Sequence, residues 1–170
     1  MKLSYPKHHL IKNGLDTELG DEGGFAPHLR GSEEALYFLA QSITDAGFSK
    51  DDVRMSVDVA ASGLLQQDGY HKDGKVLSSA ELVAWYKKTA EQYNLFSVED
   101  PFAEDDWSNF HTEVEQLSAM IVGDDLTVTN SGRIALAAQK KAIDAVIIKP
   151  NQVGTVTETI AAISAARAQG

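Results

Sequence analysis

The sequence has 170 residues, of which 43% are hydrophobic and 24% are charged, and it contains no cysteine. This composition is typical of a globular protein with a sizeable core, and the missing cysteines exclude a disulfide framework and a thiolate metal site. The formal net charge of −10 argues against nucleic acid as the main partner. Neither a signal peptide nor a membrane-spanning run is recognisable, so we expect a cytoplasmic protein that does not bind membranes.

Short strand-like runs alternate with amphipathic helical stretches from about residue 15 onward. The first predicted strand, residues 15–19, runs into a glycine-rich loop, and Ser32 is the predicted N-cap of the helix that follows. The second strand covers residues 55–60, and residues 64–76 are predicted to form a small hairpin. The next helix begins at Ser78, which has Glu81 in position for a capping box.

Three more strands are predicted at residues 95–99, 119–123 and 145–148, each followed by a helix. The last helix begins near Thr155 and is predicted to turn four apolar residues inward: Ile160, Ala161, Ile163 and Ala166. Strands that alternate with helices predict a parallel sheet, because each crossover returns the chain to the same edge. We therefore predict an α/β fold with about five parallel βα units, whose strands all end on one face.

Charged side chains stand at the C-terminal ends of the predicted strands: Glu22, Asp58, Glu99, Asp124 and Lys149. Asp58, Glu99 and Asp124 together form a hard oxygen ligand set, which suits Mg²⁺ or Mn²⁺ better than Zn²⁺. A cation would also relieve the repulsion between them. Each carboxylate taken singly could instead cap a helix or face solvent, but three at equivalent strand ends favour a metal site.

Lys149 and Glu22 are the candidate proton-transfer groups. Lys149 follows a buried apolar run, and desolvation beside bound cations favours the neutral amine, which can act as a general base. The alternative is a structural ion pair with a neighbouring carboxylate. Glu22 lies between glycines, which permit the close turns of an active-site loop, although an ordinary β-turn has the same composition.

The motifs at these positions resemble those of the enolase (phosphopyruvate hydratase) family, in family order and over nearly the whole chain. They are GDEGGFAP at 20–27, VDVAAS at 57–62, VEDPF at 98–102, DDW at 105–107, GDDLTVTN at 123–130 and KPNQVGT at 149–155. The resemblance implies a partial TIM (β/α)8-type barrel, with residues 1–170 as the central part of the family's C-terminal domain. It also implies truncation at both ends, with the family's N-terminal α+β domain absent.

The resemblance further implies a lyase of glycolysis that reversibly dehydrates 2-phosphoglycerate to phosphoenolpyruvate with Mg²⁺ as cofactor. Lys149 would be the base and Glu22 the general acid, in line with the Lys base and Mg²⁺ of the enolase superfamily. Asp58, Glu99 and Asp124 would hold Mg²⁺. Glu99, Asp124 and Lys149 would also contact the substrate, which is the expected small-molecule partner. The full-length family forms homodimers, and the oligomeric state of this chain is left open.

Two of the family's catalytic segments have no counterpart in this sequence. These are an upstream loop with a serine, a histidine and an acidic residue, and a downstream segment whose Arg-Ser pair and lysine grip phosphate and carboxylate. We therefore predict that the isolated chain is inactive or nearly so. The alternatives are a non-catalytic remnant or interaction module, and another barrel lyase or racemase that stabilises an enolate. The Glu22 loop and the Lys149 motif favour enolase over that lyase or racemase.

Overall fold

A computed structural model describes residues 4–21, 23–114 and 117–170. The chain divides into two compact units, Met1–Arg54 and Met55–Gly170. The assignment of the whole chain to one barrel domain stays a prediction. Among the described residues, no helix combines the length and the apolar character that a membrane crossing requires.

The first unit contains helices α1 (Ser4–Lys12) and α2 (Ser32–Asp45), which pack against each other. The prediction that Ser32 caps α2 is wrong, since Gly31 is the N-cap and makes no side-chain bond. The Glu34 side chain instead stabilises the start of this helix. Its carboxylate accepts the Arg30 backbone N–H at 2.8 Å and pairs with the Arg30 guanidinium.

The predicted strand at residues 15–19 is also wrong. This segment makes a single antiparallel bridge, between Leu19 and Phe25, across the glycine-rich loop. Gly20 donates its N–H to the Gly24 carbonyl at 2.8 Å, so the segment pairs with the chain just after it instead of joining a sheet. Leu19 is 61% exposed, unlike a side chain of a buried parallel strand.

The strands of the second unit are, in chain order, β1 (Met55–Asp58), β2 (Leu65–Gln66), β3 (Gly69–Lys72), β4 (Lys75–Leu77), β5 (Leu95–Glu99), β6 (Met120–Gly123) and β7 (Ala145–Val146). Four of them form a parallel sheet in the order β1-β5-β6-β7. Within the described ranges this sheet therefore has four strands instead of about five. Strands β2, β3 and β4 form a separate antiparallel sheet where the hairpin was predicted.

The helices of the second unit are α3 (Ser79–Tyr93), α4 (Trp107–Val114), α5 (Ser131–Gln139), α6 (Pro150–Val153) and α7 (Val156–Ala168). The predicted capping box of Ser78 and Glu81 is confirmed at the start of α3. Helices α3, α4 and α5 link successive strands of the parallel sheet, which is why all four strands run in the same direction. The α/β fold class predicted from the sequence is confirmed.

An aromatic cluster forms the core beneath the loop that follows β5. Its members, Tyr70, Tyr86, Phe102 and Phe110, are at most 2% exposed. Phe102 contacts the other three rings edge to face, at centroid distances of 5.6–6.1 Å. Tyr86 also donates its hydroxyl to the Pro101 carbonyl at 2.7 Å. The cluster therefore anchors the chain that leaves the C-terminal end of β5.

Candidate active site

The register of the parallel sheet brings the ends of three strands side by side. Asp58 pairs with Glu99, and Glu99 pairs with Val122, while Asp124 directly follows β6. The ladder continues past the strands, because Val59 donates its N–H to the Glu99 carbonyl at 3.0 Å. The three predicted metal ligands therefore lie at the C-terminal ends of three neighbouring strands.

These ligands belong to a larger group of acids, which we call the carboxylate cluster: Asp58, Glu99, Asp100, Asp124 and Asp125. Asp58, Glu99 and Asp100 each offer one oxygen within 4.8 Å of the others, and Asp100, Asp124 and Asp125 do the same. Asp124 thus falls in the second of two groups that share Asp100. The assignment of Asp58, Glu99 and Asp124 as one ligand set stays a prediction.

Burial and the neighbouring carboxylates change the protonation of Glu99. Burial raises the pKa of Glu99 to about 7, and the negative charges of Asp58 and Asp124 add to the rise. The positive charge of Lys149 acts in the opposite direction. Burial also raises the pKa of Asp58. Repulsion of this kind is what a divalent cation relieves, and an all-oxygen donor set fits Mg²⁺.

Lys149 lies against the cluster through Asp124. Its Nζ forms an ion pair with Asp124 Oδ2, while Gln152 Nε2 donates to Oδ1 at 3.1 Å. Asp124 is 5% exposed, so a cation and an amide both meet a carboxylate that has little access to water. The ion pair that the sequence left as an alternative for Lys149 is therefore present, and its role as a base stays a prediction.

Thr129 and Gln152 are site residues that the sequence singled out only as members of the family motifs. Thr129 accepts the Lys149 backbone N–H at 2.9 Å and donates its hydroxyl to Gln152 Oε1 at 2.8 Å. This orients the Gln152 amide so that its NH₂ group faces Asp124. A signal was present in the sequence, since Gln152 follows Lys149 by three residues, which is one helical turn.

Glu22 lies outside the described residues, and its role as general acid stays a prediction. The residues on both sides of it form a tight turn. Gly23 has a φ of 78°, a left-handed conformation that favours glycine, and it donates its N–H to the Gly20 carbonyl at 2.9 Å. A tight turn at these flanking residues fits both the active-site loop and the ordinary β-turn that the sequence left open.

A parallel α/β sheet with carboxylates and a lysine at the C-terminal ends of its strands is typical of α/β proteins, barrels among them, that build their sites on that face. The sequence from residue 6 to residue 170 matches the family described as "Enolase, C-terminal TIM barrel domain". The chain belongs to this family.

Curated relatives named enolase agree with this assignment. The chain is 43% identical to the enolase of Bdellovibrio bacteriovorus, over 95% of this chain and 39% of that protein. It is 45% identical to the enolase of Aeropyrum pernix, over 91% of this chain and 36% of that protein. For Natranaerobius thermophilus the identity is 39%, over 100% and 42% respectively. The chain thus spans about two fifths of the length of these relatives.

Proposed function

We propose that this chain carries the metal and proton-transfer residues of a phosphopyruvate hydratase, a cytoplasmic lyase of glycolysis that interconverts 2-phosphoglycerate and phosphoenolpyruvate. The observation that carries the proposal is the carboxylate cluster with Lys149 against it, at the strand ends of a family barrel. The name of the relatives, enolase, supports the same reaction.

Asp58, Glu99 and Asp124 would hold Mg²⁺ in this function. The donor set is all oxygen, and its mutual repulsion favours a divalent cation. When bound, the ion supplies positive charge that stabilises the additional negative charge on the substrate carboxylate as the neighbouring C–H proton leaves.

Lys149 would accept that proton on Nζ, and Glu22 would donate a proton to the hydroxyl group, which then departs as water. The lysine must be neutral to accept a proton, whereas its ion pair with Asp124 stabilises the ammonium form. A cation that offsets the negative charge of Asp124 therefore favours the neutral amine of Lys149, which is the form that can act as a base. In this proposal the ion pair holds the amine in place, and ligation of Asp124 adjusts its basicity.

Thermal unfolding tests the site without requiring turnover. Mg²⁺ that binds only the folded chain should raise the thermal midpoint, with a stabilisation of about 2.7 kcal/mol at a hundred times Kd. We expect 2-phosphoglycerate to raise the midpoint further only when Mg²⁺ is present. Asp124→Asn should abolish both shifts. Glu91→Gln removes the same charge from an exposed position on α3 and should retain them.

Two results would contradict the proposed function. One is a wild-type chain whose midpoint does not respond to millimolar Mg²⁺. The other is an Asp124→Asn variant that responds as the wild type does, since the cation would then bind elsewhere.

A further inference from the structure

Asp100 stands at the centre of the carboxylate cluster and is 2% exposed. Its Oδ2 accepts the backbone N–H of Asp125 at 2.7 Å, and its Oδ1 accepts that of Leu126 at 3.3 Å. The N–H of Asp124 is 3.2 Å from both oxygens. Three successive peptide groups of the loop after β6 therefore point at one carboxylate.

The backbone of Asp100 is held just as firmly. Its N–H donates to the Val122 carbonyl at 3.0 Å, and its own carbonyl accepts the Ala61 N–H at 3.2 Å. Its φ of 41° is left-handed, a conformation that costs a non-glycine residue about 1–3 kcal/mol and persists only where the surroundings impose it. Asp100 thus joins the end of β5 to β6 and to the chain after β1.

We propose that Asp100 is a positioning residue, which fixes the loop of residues 124–126 so that the Asp124 side chain meets Lys149 and Gln152. The proposal rests on the proposed function, because the site that it positions is the Mg²⁺ site. Hydrogen bonds to an ionised carboxylate are about twice as strong as those between neutral groups. Three such hydrogen bonds from one loop fix the position of the Asp124 backbone, whereas hydrogen bonds to water would not.

The same contacts decide between this role and direct ligation. Distance alone would admit Asp100 as a ligand, since it belongs to both groups of close carboxylates. However, its oxygens accept backbone N–H groups of the 124–126 loop, and ligation would pull those oxygens away from the loop. The oxygens of Asp124 are bound only by the side chains of Lys149 and Gln152, which can shift without moving the backbone. The carboxylates of Asp58 and Glu99 are less buried and lie toward the open end of the strands.

Asp100→Asn tests the proposal, because the amide keeps the shape of the side chain but loses one acceptor oxygen. Asp144→Asn is the matched control. The Asp144 carboxylate accepts the Ile121 N–H at 2.8 Å. It therefore binds β6, the strand that leads into the 124–126 loop, near the end opposite that loop. Calorimetric titration should show that Asp100→Asn weakens Mg²⁺ binding about 10- to 100-fold, as loss of a group behind a metal ligand does. Asp144→Asn should leave the affinity within about twofold of wild type, even if both variants lose stability.

Hydrogen exchange of the wild-type chain supplies a second readout that needs no variant to fold. Coupling between two events is reciprocal, so if the Asp100 contacts favour Mg²⁺ binding, Mg²⁺ must strengthen those contacts. We expect the amides of Asp125 and Leu126 to exchange more slowly with Mg²⁺ bound. The amide of Ile121, at the far end of β6, should not respond.

The outcomes separate this role from the proposed function. A wild-type chain that binds Mg²⁺, with an Asp100→Asn variant of equal affinity or with no change in Asp125 and Leu126 exchange, overturns the role of Asp100 alone. A wild-type chain that does not bind Mg²⁺ overturns the metal site and with it the positioning role.

Discussion

Glu99 illustrates at the scale of a single residue how a strand end becomes a binding site. The sheet register places it beside Asp58, the loop after β6 brings Asp124 near, and Asp100 is the next residue, so one half-buried carboxylate meets three like charges. The folded chain therefore stores repulsion at this point, which a proton or a metal ion can relieve. Protons and Mg²⁺ should compete for Glu99.

This competition predicts a pH dependence of stability. The pKa of Glu99 rises from an ordinary value of 4.5 to about 7 on folding, so the folded state binds more protons between these values. Without divalent cations, the contribution of Glu99 to stability should therefore fall as the pH rises from about 4.5 to about 7. Urea unfolding across this window should show a steeper loss for wild type than for Glu99→Gln.

Wild type and Glu99→Gln both retain Asp100, whose pKa burial raises to about 6. The difference between their slopes of unfolding free energy against pH therefore reports the removal of Glu99. Saturating Mg²⁺ should remove the difference in slope. If the free energy of unfolding falls equally with pH in both proteins without Mg²⁺, folding does not raise the pKa of Glu99.

At the scale of elements, Arg133 of α5 joins the two loops that leave β5 and β6. Its Nε donates to the Leu126 carbonyl at 2.6 Å, and one terminal nitrogen donates to the Glu104 carbonyl at 2.7 Å. The guanidinium also lies 5.3 Å from the Trp107 ring centroid. A planar fork of donors can reach two carbonyls from different loops, whereas an ammonium cannot match that geometry.

Arg133→Met should lower the free energy of unfolding by about 1–3 kcal/mol, since it leaves two carbonyls without this charged donor. Arg133→Lys should recover only part of the loss. Urea unfolding measures both, with Lys140→Met as the control, because Lys140 is an exposed cation at the end of the same helix. A Lys variant as stable as wild type would mean that charge alone, and not the two bonds, explains the contribution.

At the scale of the whole molecule, the described residues carry the carboxylate cluster and an amine, but catalysis also requires the substrate to be held in place. Positioning can supply roughly 7–11 kcal/mol of barrier reduction in ideal cases. The chain spans about two fifths of its relatives, and the phosphate and carboxylate clamps that the family resemblance implies lie outside its motifs. We therefore expect this polypeptide to bind Mg²⁺ without efficient turnover.

We expect the isolated 170-residue chain to form phosphoenolpyruvate at a rate close to background, even with excess Mg²⁺. The absorbance of phosphoenolpyruvate formed from 2-phosphoglycerate measures this rate, with Lys149→Ala as the reference for background. A turnover typical of ordinary enzymes that disappears in Lys149→Ala would refute the expected inactivity while supporting the proposed role of the lysine.

The sequence by itself determined the α/β class, the positions of four parallel strands and the acids at the ends of three of them, because these depend on local patterns. A strand, a capping box and a turn are each encoded within a few residues, as Ser78 and Glu81 show. The strand predicted at residues 15–19 is wrong because a short apolar–polar run cannot specify its partner. It pairs with its own loop through Leu19 and Phe25.

Only the tertiary structure decided which of these groups meet. On α7 the predicted inward residue Ile160 is 58% exposed, whereas Ala162 is fully buried. Lys149 and Gln152 share Asp124 from more than twenty positions along the chain, and Asp100 binds a loop equally far away. Such contacts follow from strand order and register, which bring distant residues to one edge. Asp100 and Asp124 are both aspartates that follow a strand, and this packing distinguishes the proposed positioning residue from the proposed ligand.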